Sequence, residues 1–240
     1  MFSGGIDSTM AAILLAERYE RVHLLTYGNG YGHYHLDRTR QRAEELRQRH
    51  GDRFVHTVES VQWLFEAFLP DLAVEFRRFR SGFIWCLGCK LAMHTRSILY
   101  NLEHGIPEMT DGSSGSTSEM VEQMPVCVKG FRELYARYGI AFCTPVYDIP
   151  REQEIETLRA RGFRMGLRVG SRFLGIQPRC RPGELYYLPF LLVGQSPRHD
   201  EDRVSAFLDE KRELARRIIT EQCEARGIAL PAAADTGGGG

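Results

Sequence analysis

Three stretches of the chain carry residue types that do chemistry. The first is Ser3-Gly4-Gly5-Ile6-Asp7-Ser8-Thr9, a glycine-containing turn that runs directly into a helix-forming segment, Met10 to Arg18. Adjacent glycines let the backbone approach a bulky anion with no Cβ in the way. A helix start aims its free N–H groups and positive dipole end at the same spot, and Ser3, Ser8 and Thr9 add hydroxyl donors. The string reads as a phosphate cradle, and its plainer alternative is a serine-capped helix start. Asp7 belongs in a phosphate site when a cation stands between, which points to Mg²⁺. The second stretch is Cys86-Leu87-Gly88-Cys89 followed by Lys90. Two thiols at this spacing at a helix start are expected to favour thiolate, and they suit a redox pair, half of a zinc site or part of an Fe–S site. The third is Cys180, between Arg179 and Arg181 and flanked by Pro178 and Pro182; a rigid basic loop is expected to keep that thiol exposed and ionised. Cys127, Cys143 and Cys223 lie in apolar or helical surroundings and read as structural.

Composition narrows the setting. The chain has 240 residues, 43% hydrophobic and 26% charged, enough for one large or two small domains with a proper core. The formal net charge is +0, so no global field draws it onto nucleic acid. Arginine dominates the basic residues, with Lys90, Lys129 and Lys211 the only lysines. No apolar run is long enough to span a bilayer and no signal peptide precedes the glycine turn, so a cytoplasmic location is expected. There a disulfide framework among six cysteines is disfavoured, and clustered cysteines read as metal ligands or catalysts.

The elements that must position these residues follow from periodicity. A helix over 9–19, a buried strand Val22–Tyr27 ending at Gly28, a charged helix Asp37–His50 and a strand Phe54–Val58 alternate as in an α/β fold. Between them His33 and His35 sit in a histidine-rich turn; two histidines at this spacing could bind a metal, but no acidic or cysteine partner adjoins them in sequence, so they read as surface or substrate-lip residues. Val61–Arg80 reads as a helix broken near Pro70, ending in the basic Arg77-Arg78-Phe79-Arg80 cluster. A further helix opens at Leu91–His94. A strand Ile106–Thr110 runs into the small-residue loop Asp111-Gly112-Ser113, and Pro125 interrupts the segment after it. A strand Ile140–Val146 and a helix from Pro150 to Ala160 follow. Arg164–Gly183 is irregular and rich in Gly and Arg, Asp202–Gly227 is an amphipathic helix, and 232–240 is a small-residue tail expected to be disordered.

The SGGxDST string resembles the PP-loop of the ATP pyrophosphatase superfamily, and it lacks the lysine of the GxxxxGK[ST] phosphate loop. The order of PP-loop, CxxC, Asp111 loop and one distant cysteine resembles the Fe–S-dependent sulfurtransferases of that superfamily, including tRNA thiouridine synthetases and the sulfurtransferase of nickel-pincer cofactor synthesis. The resemblance covers roughly residues 2–185. It implies an α/β fold with an open, mostly parallel sheet and helices on both faces, of the adenine nucleotide alpha hydrolase or Rossmann-like kind. The first strand would be short or missing, since only Met1 and Phe2 precede the loop. It implies an ATP-binding domain over 1–163, and a C-terminal loop and helical extension over 164–231 carrying the third cluster cysteine. ATP would be held by Ser3, Gly4, Gly5, Asp7, Ser8 and Thr9. Thr26 and Tyr27, at a strand's carboxyl end, would meet adenine or ribose, and Asp111 and Gly112 would form the second nucleotide loop. Asp7, Lys90 and Asp111 are the candidate catalytic residues. Cys86, Cys89 and Cys180 would hold a [4Fe–4S] cluster, thiolates being its usual ligands.

The implied function is an ATP- and Mg²⁺-dependent sulfurtransferase that adenylates its substrate and inserts sulfur supplied by a donor. The acceptor stays open between a small molecule and tRNA, no membrane is involved, and a homodimer is compatible with the chain. Two other classes remain: a cluster-free PP-loop enzyme forming amides or nitriles or working through persulfides, and a non-catalytic nucleotide-binding carrier of metal or sulfur.

Overall fold

The computed structural model describes residues 1–169 and 172–231. The first half alternates helix and strand. Helix α1 (Ile6–Arg18) leads to β1 (Val22–Gly28), a two-residue strand β2 (His33–Tyr34), α2 (Asp37–His50) and β3 (Phe54–Ser60). β1 and β3 are parallel, with Val22 opposite Phe54 and Gly28 opposite Ser60. Such a pair needs a crossover, which α2 supplies. Its Thr39, Ala43 and Leu46 are buried at helical spacing while its arginines other than Arg42 stay at least partly in solvent. Pro70 separates α3 (Gln62–Phe68) from α4 (Leu72–Phe79), and Asp71 caps α4 by accepting from the Val74 N–H at 3.0 Å.

Helix α5 (Phe83–His104) is the axis of the molecule. It starts eight residues before the expected Leu91, so Cys86 and Cys89 stand within its first two turns. Residues buried around nearly its whole circumference explain why it is not simply amphipathic. β4 (Glu108–Thr110), α6 (Pro125–Ala136) and β5 (Ala141–Cys143) repeat the parallel strand–helix–strand unit, Glu108 pairing with Ala141. Pro125 does not interrupt this segment; it begins α6, where a missing N–H costs nothing. After α7 (Arg151–Ala160), the irregular region contains β6 (Leu167–Val169), β7 (Arg172–Leu174) and β8 (Arg179–Cys180), followed by α8 (Arg181–Leu192) and α9 (Glu201–Arg226). β6 pairs antiparallel with β7, and β8 with β2.

The fold is thus α/β, dominated by helix, with small parallel sheets. Between the two parallel pairs lie Met1 and Phe2: the Phe2 N–H donates to the Leu25 carbonyl at 2.7 Å, and the Met1 nitrogen to that of Thr110. The boundary expected at 163/164 does not divide the interior. Val204, Phe207, Ile218 and Ile219 of α9 share one core with Phe83, Leu87 and Leu91 of α5 and Phe131 and Leu134 of α6. No helix among the described residues is long and apolar enough to cross a membrane. The tail at 232–240 lies outside the described residues.

Candidate functional site

The glycine loop leads straight into the start of α1. Gly4 takes φ +70°, a conformation that favours glycine, and Gly5 is the N-cap of α1, which receives no side-chain capping bond. The hydroxyls divide. Thr9 is buried and its Oγ1 donates to the Gly5 carbonyl at 2.6 Å; Ser8 Oγ donates to the same carbonyl at 3.3 Å and lies 3.1 Å from the exposed Ser3 Oγ. Thr9 therefore braces the loop from behind. Asp7 receives Arg151 Nη1 on its Oδ1 at 2.5 Å. The tip of Gln177 lies over Gly5, where a Cβ would collide with it.

Asp111 and Gly112 close the other wall. A Cβ on Gly112 would stand 2.7 Å from the Ser8 nitrogen, so this loop touches the backbone of α1 directly. Asp111 is 1% exposed; it accepts from Ser113 N and Oγ at 3.0 Å and meets Lys90 Nζ at 2.8 Å. Burial alone would raise its carboxyl; the Lys90 ammonium overrides this and holds it well below the ordinary range. His94 Nε2, buried and without a hydrogen-bond partner, lies 3.8 Å from Asp111 Oδ2. Burial and Lys90 keep this imidazole neutral.

Thr26 and Tyr27 correct the expectation that they meet adenine or ribose. Thr26 Oγ1 donates to the Phe2 carbonyl at 2.7 Å, and the Tyr27 hydroxyl accepts from Ser97 Oγ at 3.1 Å inside the α5 core. Both side chains face inward because the strand that carries them is buried nearly throughout.

The cysteines of the second and third stretches come together. From the point a Cβ on Gly183 would occupy, Cys180 Sγ is 3.7 Å away and Cys86 Sγ 4.0 Å, so the two sulfurs lie within 8 Å of each other. The charge of a Cys180 thiolate acts on both Cys86 and Cys89. Cys89 Sγ accepts from Asn29 Nδ2 at 3.3 Å and lies 3.8 Å from His33 Nε2, and His33 pairs with Cys180 across β2 and β8. The Gly183 N–H, at the start of α8, lies near enough to Cys180 to favour its thiolate. Lys90, next to Cys89 in the chain, joins this cluster to Asp111 and through Gly112 to the glycine loop.

The protonation expected for these thiols is corrected. Burial raises Cys86 well above its usual value and pushes Cys89 up to about 12; Cys180, half-buried in β8, is raised as well. Desolvation outweighs the helix start because both CxxC sulfurs lie inside α5. Cys127 and Cys223 are fully buried in the core, as expected of structural residues, and Cys143 is half-buried in β5. Among the described residues, no three His, Cys, Asp or Glu side chains group closely enough to hold a single metal ion.

Several neighbours carried no sequence signal. Glu122, in a single 3-10 turn at Val121–Gln123, has a buried Oε2 with no partner, and its charge reaches all three sulfurs. The buried Trp85 indole N–H likewise lacks a partner of normal geometry, yet lies near enough to Cys180 to favour its thiolate. His33 was visible only as a histidine in a turn, since its partner Cys89 is remote in sequence. An open depression lined by Glu20, Arg21, His50 and Asp52 lies at the amino ends of β1 and β3, opposite the strand ends that lead to these residues. Comparison with known proteins finds nothing: no family model, no curated protein and no solved structure matches the chain.

Proposed function

We propose that this chain is an ATP-dependent sulfurtransferase of the PP-loop type, working with a [4Fe–4S] cluster on Cys86, Cys89 and Cys180. The observation that carries the reading is the meeting of Cys180 with Cys86 beside Gly183, with Cys89 reached through His33 and with Lys90 and Asp111 leading on to the glycine loop. The residues fit such a cluster. They offer three thiols, a glycine with no Cβ between two of them, and the Trp85 N–H beside Cys180. Thiolates that bind different irons need not meet at one point as ligands of a single zinc must.

In this reading Met1 and Phe2 belong to a central strand, and the two parallel pairs flank it as parts of one open Rossmann-like sheet. Gly4, Gly5 and the uncapped N–H groups of α1 grip the phosphates of ATP, and Asp7 holds Mg²⁺. The substrate oxygen bonds to the α-phosphorus of ATP as pyrophosphate leaves; sulfur then bonds to the activated carbon as AMP leaves. Lys90, balanced by Asp111, sets positive charge between the two steps. The cluster, when bound, supplies the iron that carries the sulfur. The acceptor is a small molecule or a tRNA base, the sulfur comes from a separate donor, and the setting is the cytoplasm.

The test is iron and sulfide analysis of anaerobically purified protein. Cys86→Ala, Cys89→Ala and Cys180→Ala should each lose both, whereas Cys127→Ala, Cys143→Ala and Cys223→Ala keep them. Full iron content in Cys180→Ala would remove the cluster from the proposal. Pyrophosphate release from ATP tests the other half; a chain that loads iron but never cleaves ATP is a carrier.

A further inference from the structure

Asp7 lies in the first turn of α1 and Glu154 in the first turn of α7, and these two helices pack together. One nitrogen serves both carboxylates: Arg151 Nη1 is 2.5 Å from Asp7 Oδ1 and 3.3 Å from Glu154 Oε2. The Glu154 side chain is 0% exposed, and its Oε1 has no hydrogen-bond partner. A buried oxygen left unsatisfied is a loss to the fold. A guanidinium normally meets carboxylates through its two-pronged face, not through one shared nitrogen. As a structural anchor for Arg151, then, Glu154 is poorly used. As half of a cation site it is well placed: Mg²⁺ is commonly held by one or two carboxylates, with water and substrate phosphates completing its shell. Gly5, one residue before α1, lies where those phosphates are proposed to bind.

We infer that Asp7 and Glu154 together form a divalent-cation site, and that Arg151 Nη1 holds the position the cation takes. Glu154 is thus a second metal ligand, joined to Asp7 by the packing of α7 on α1. Arg151, 29% exposed, has solvent to move into when a dication displaces it. The inference deepens the ATP reading, since the same cation would carry pyrophosphate, but cation binding can be measured without nucleotide.

The experiment is titration of the whole chain with Mn²⁺ alone, free Mn²⁺ being counted by its EPR signal. The native chain should bind one Mn²⁺ at this site. Asp7→Asn and Glu154→Gln should each weaken it by about tenfold or more, the scale on which metal sites respond to loss of a supporting group. Arg151→Gln, at a partly exposed position, should tighten it several-fold by removing the competing charge. Glu154→Gln binding Mn²⁺ like the native chain, or Arg151→Gln failing to tighten it, would overturn the inference; circular dichroism confirms that each variant is folded. Mn²⁺ binding with these effects in a chain that does not bind ATP would uphold the cation site while removing the nucleotide reading.

Discussion

Lys90 and Asp111 show how one residue pair can bear both structure and chemistry. Asp111 is almost fully buried, and its charge is tolerable there because Lys90 lies 2.8 Å away. Removing Lys90 strands a buried carboxylate, so Lys90→Met should lower stability in urea by about 3 kcal/mol near neutral pH. The pH dependence follows. Asp111 titrates below its unfolded value near 4, so the pair's contribution is present above about pH 4 and lost as pH falls through the folded value. The native chain should lose stability on acidification below pH 4, and Lys90→Met should lose less of it over that range. At this scale the sequence was partly legible. Asp7, Lys90, Asp111 and the three cysteines stand out by type and spacing. Glu122, Glu154 and Arg151 do not, because an acid or an arginine on a short helix looks like a solvated surface residue until tertiary packing buries it. Thr26 and Tyr27 misled for the converse reason: a strand end points to a ligand only where its side chains are not needed by the core.

Elements meet here through backbone as well as side chains. A methyl group at Gly112 would press on the Ser8 nitrogen at 2.7 Å and the Asp7 carbonyl carbon at 3.0 Å, and neither can rotate away. Gly112→Ala should therefore cost about 1–3 kcal/mol by overpacking and weaken ATP binding by displacing the start of α1; isothermal titration and thermal melting check both. Helices α4 and α9 are joined by Lys211 Nζ on Glu75 Oε1 at 2.6 Å, both side chains buried. Lys211→Met alone should cost about 3–5 kcal/mol, and Lys211→Met with Glu75→Leu should recover most of it in the same denaturation assay. Periodicity anticipated most helices and the strands at Val22 and Phe54. It placed the start of α5 late, because Cys-Leu-Gly-Cys carries turn-like residues and helix α5 is held by burial around its girth, not by propensity.

Across the whole molecule, the last helix is not an appendage. Phe207 packs edge-on against Phe79 and Phe83 with ring centroids 5.1 and 5.8 Å apart. Cutting the chain before α9 would expose the α5 core that also orients Cys86 and Cys89. The full chain should unfold in one transition by both circular dichroism and calorimetry, and a chain ending before Glu201 should show no cooperative melt. Two transitions in the full chain would mean that the core is divided after all. This unity was hidden in the sequence, where Arg164–Gly183 reads as a change of character and hence as a border. The ladder of β2 and β8, only two residues long, carries the chain back across that border.

The place of Trp85 gives the cluster an optical witness. The chain has only two tryptophans; Trp63 is 42% exposed on α3, whereas the Trp85 indole nitrogen is buried near Cys180. With Trp63→Phe the remaining emission comes from a ring within range of any iron held by that sulfur, so loading would darken its fluorescence and stripping would restore it, which lets cofactor assembly be followed in real time.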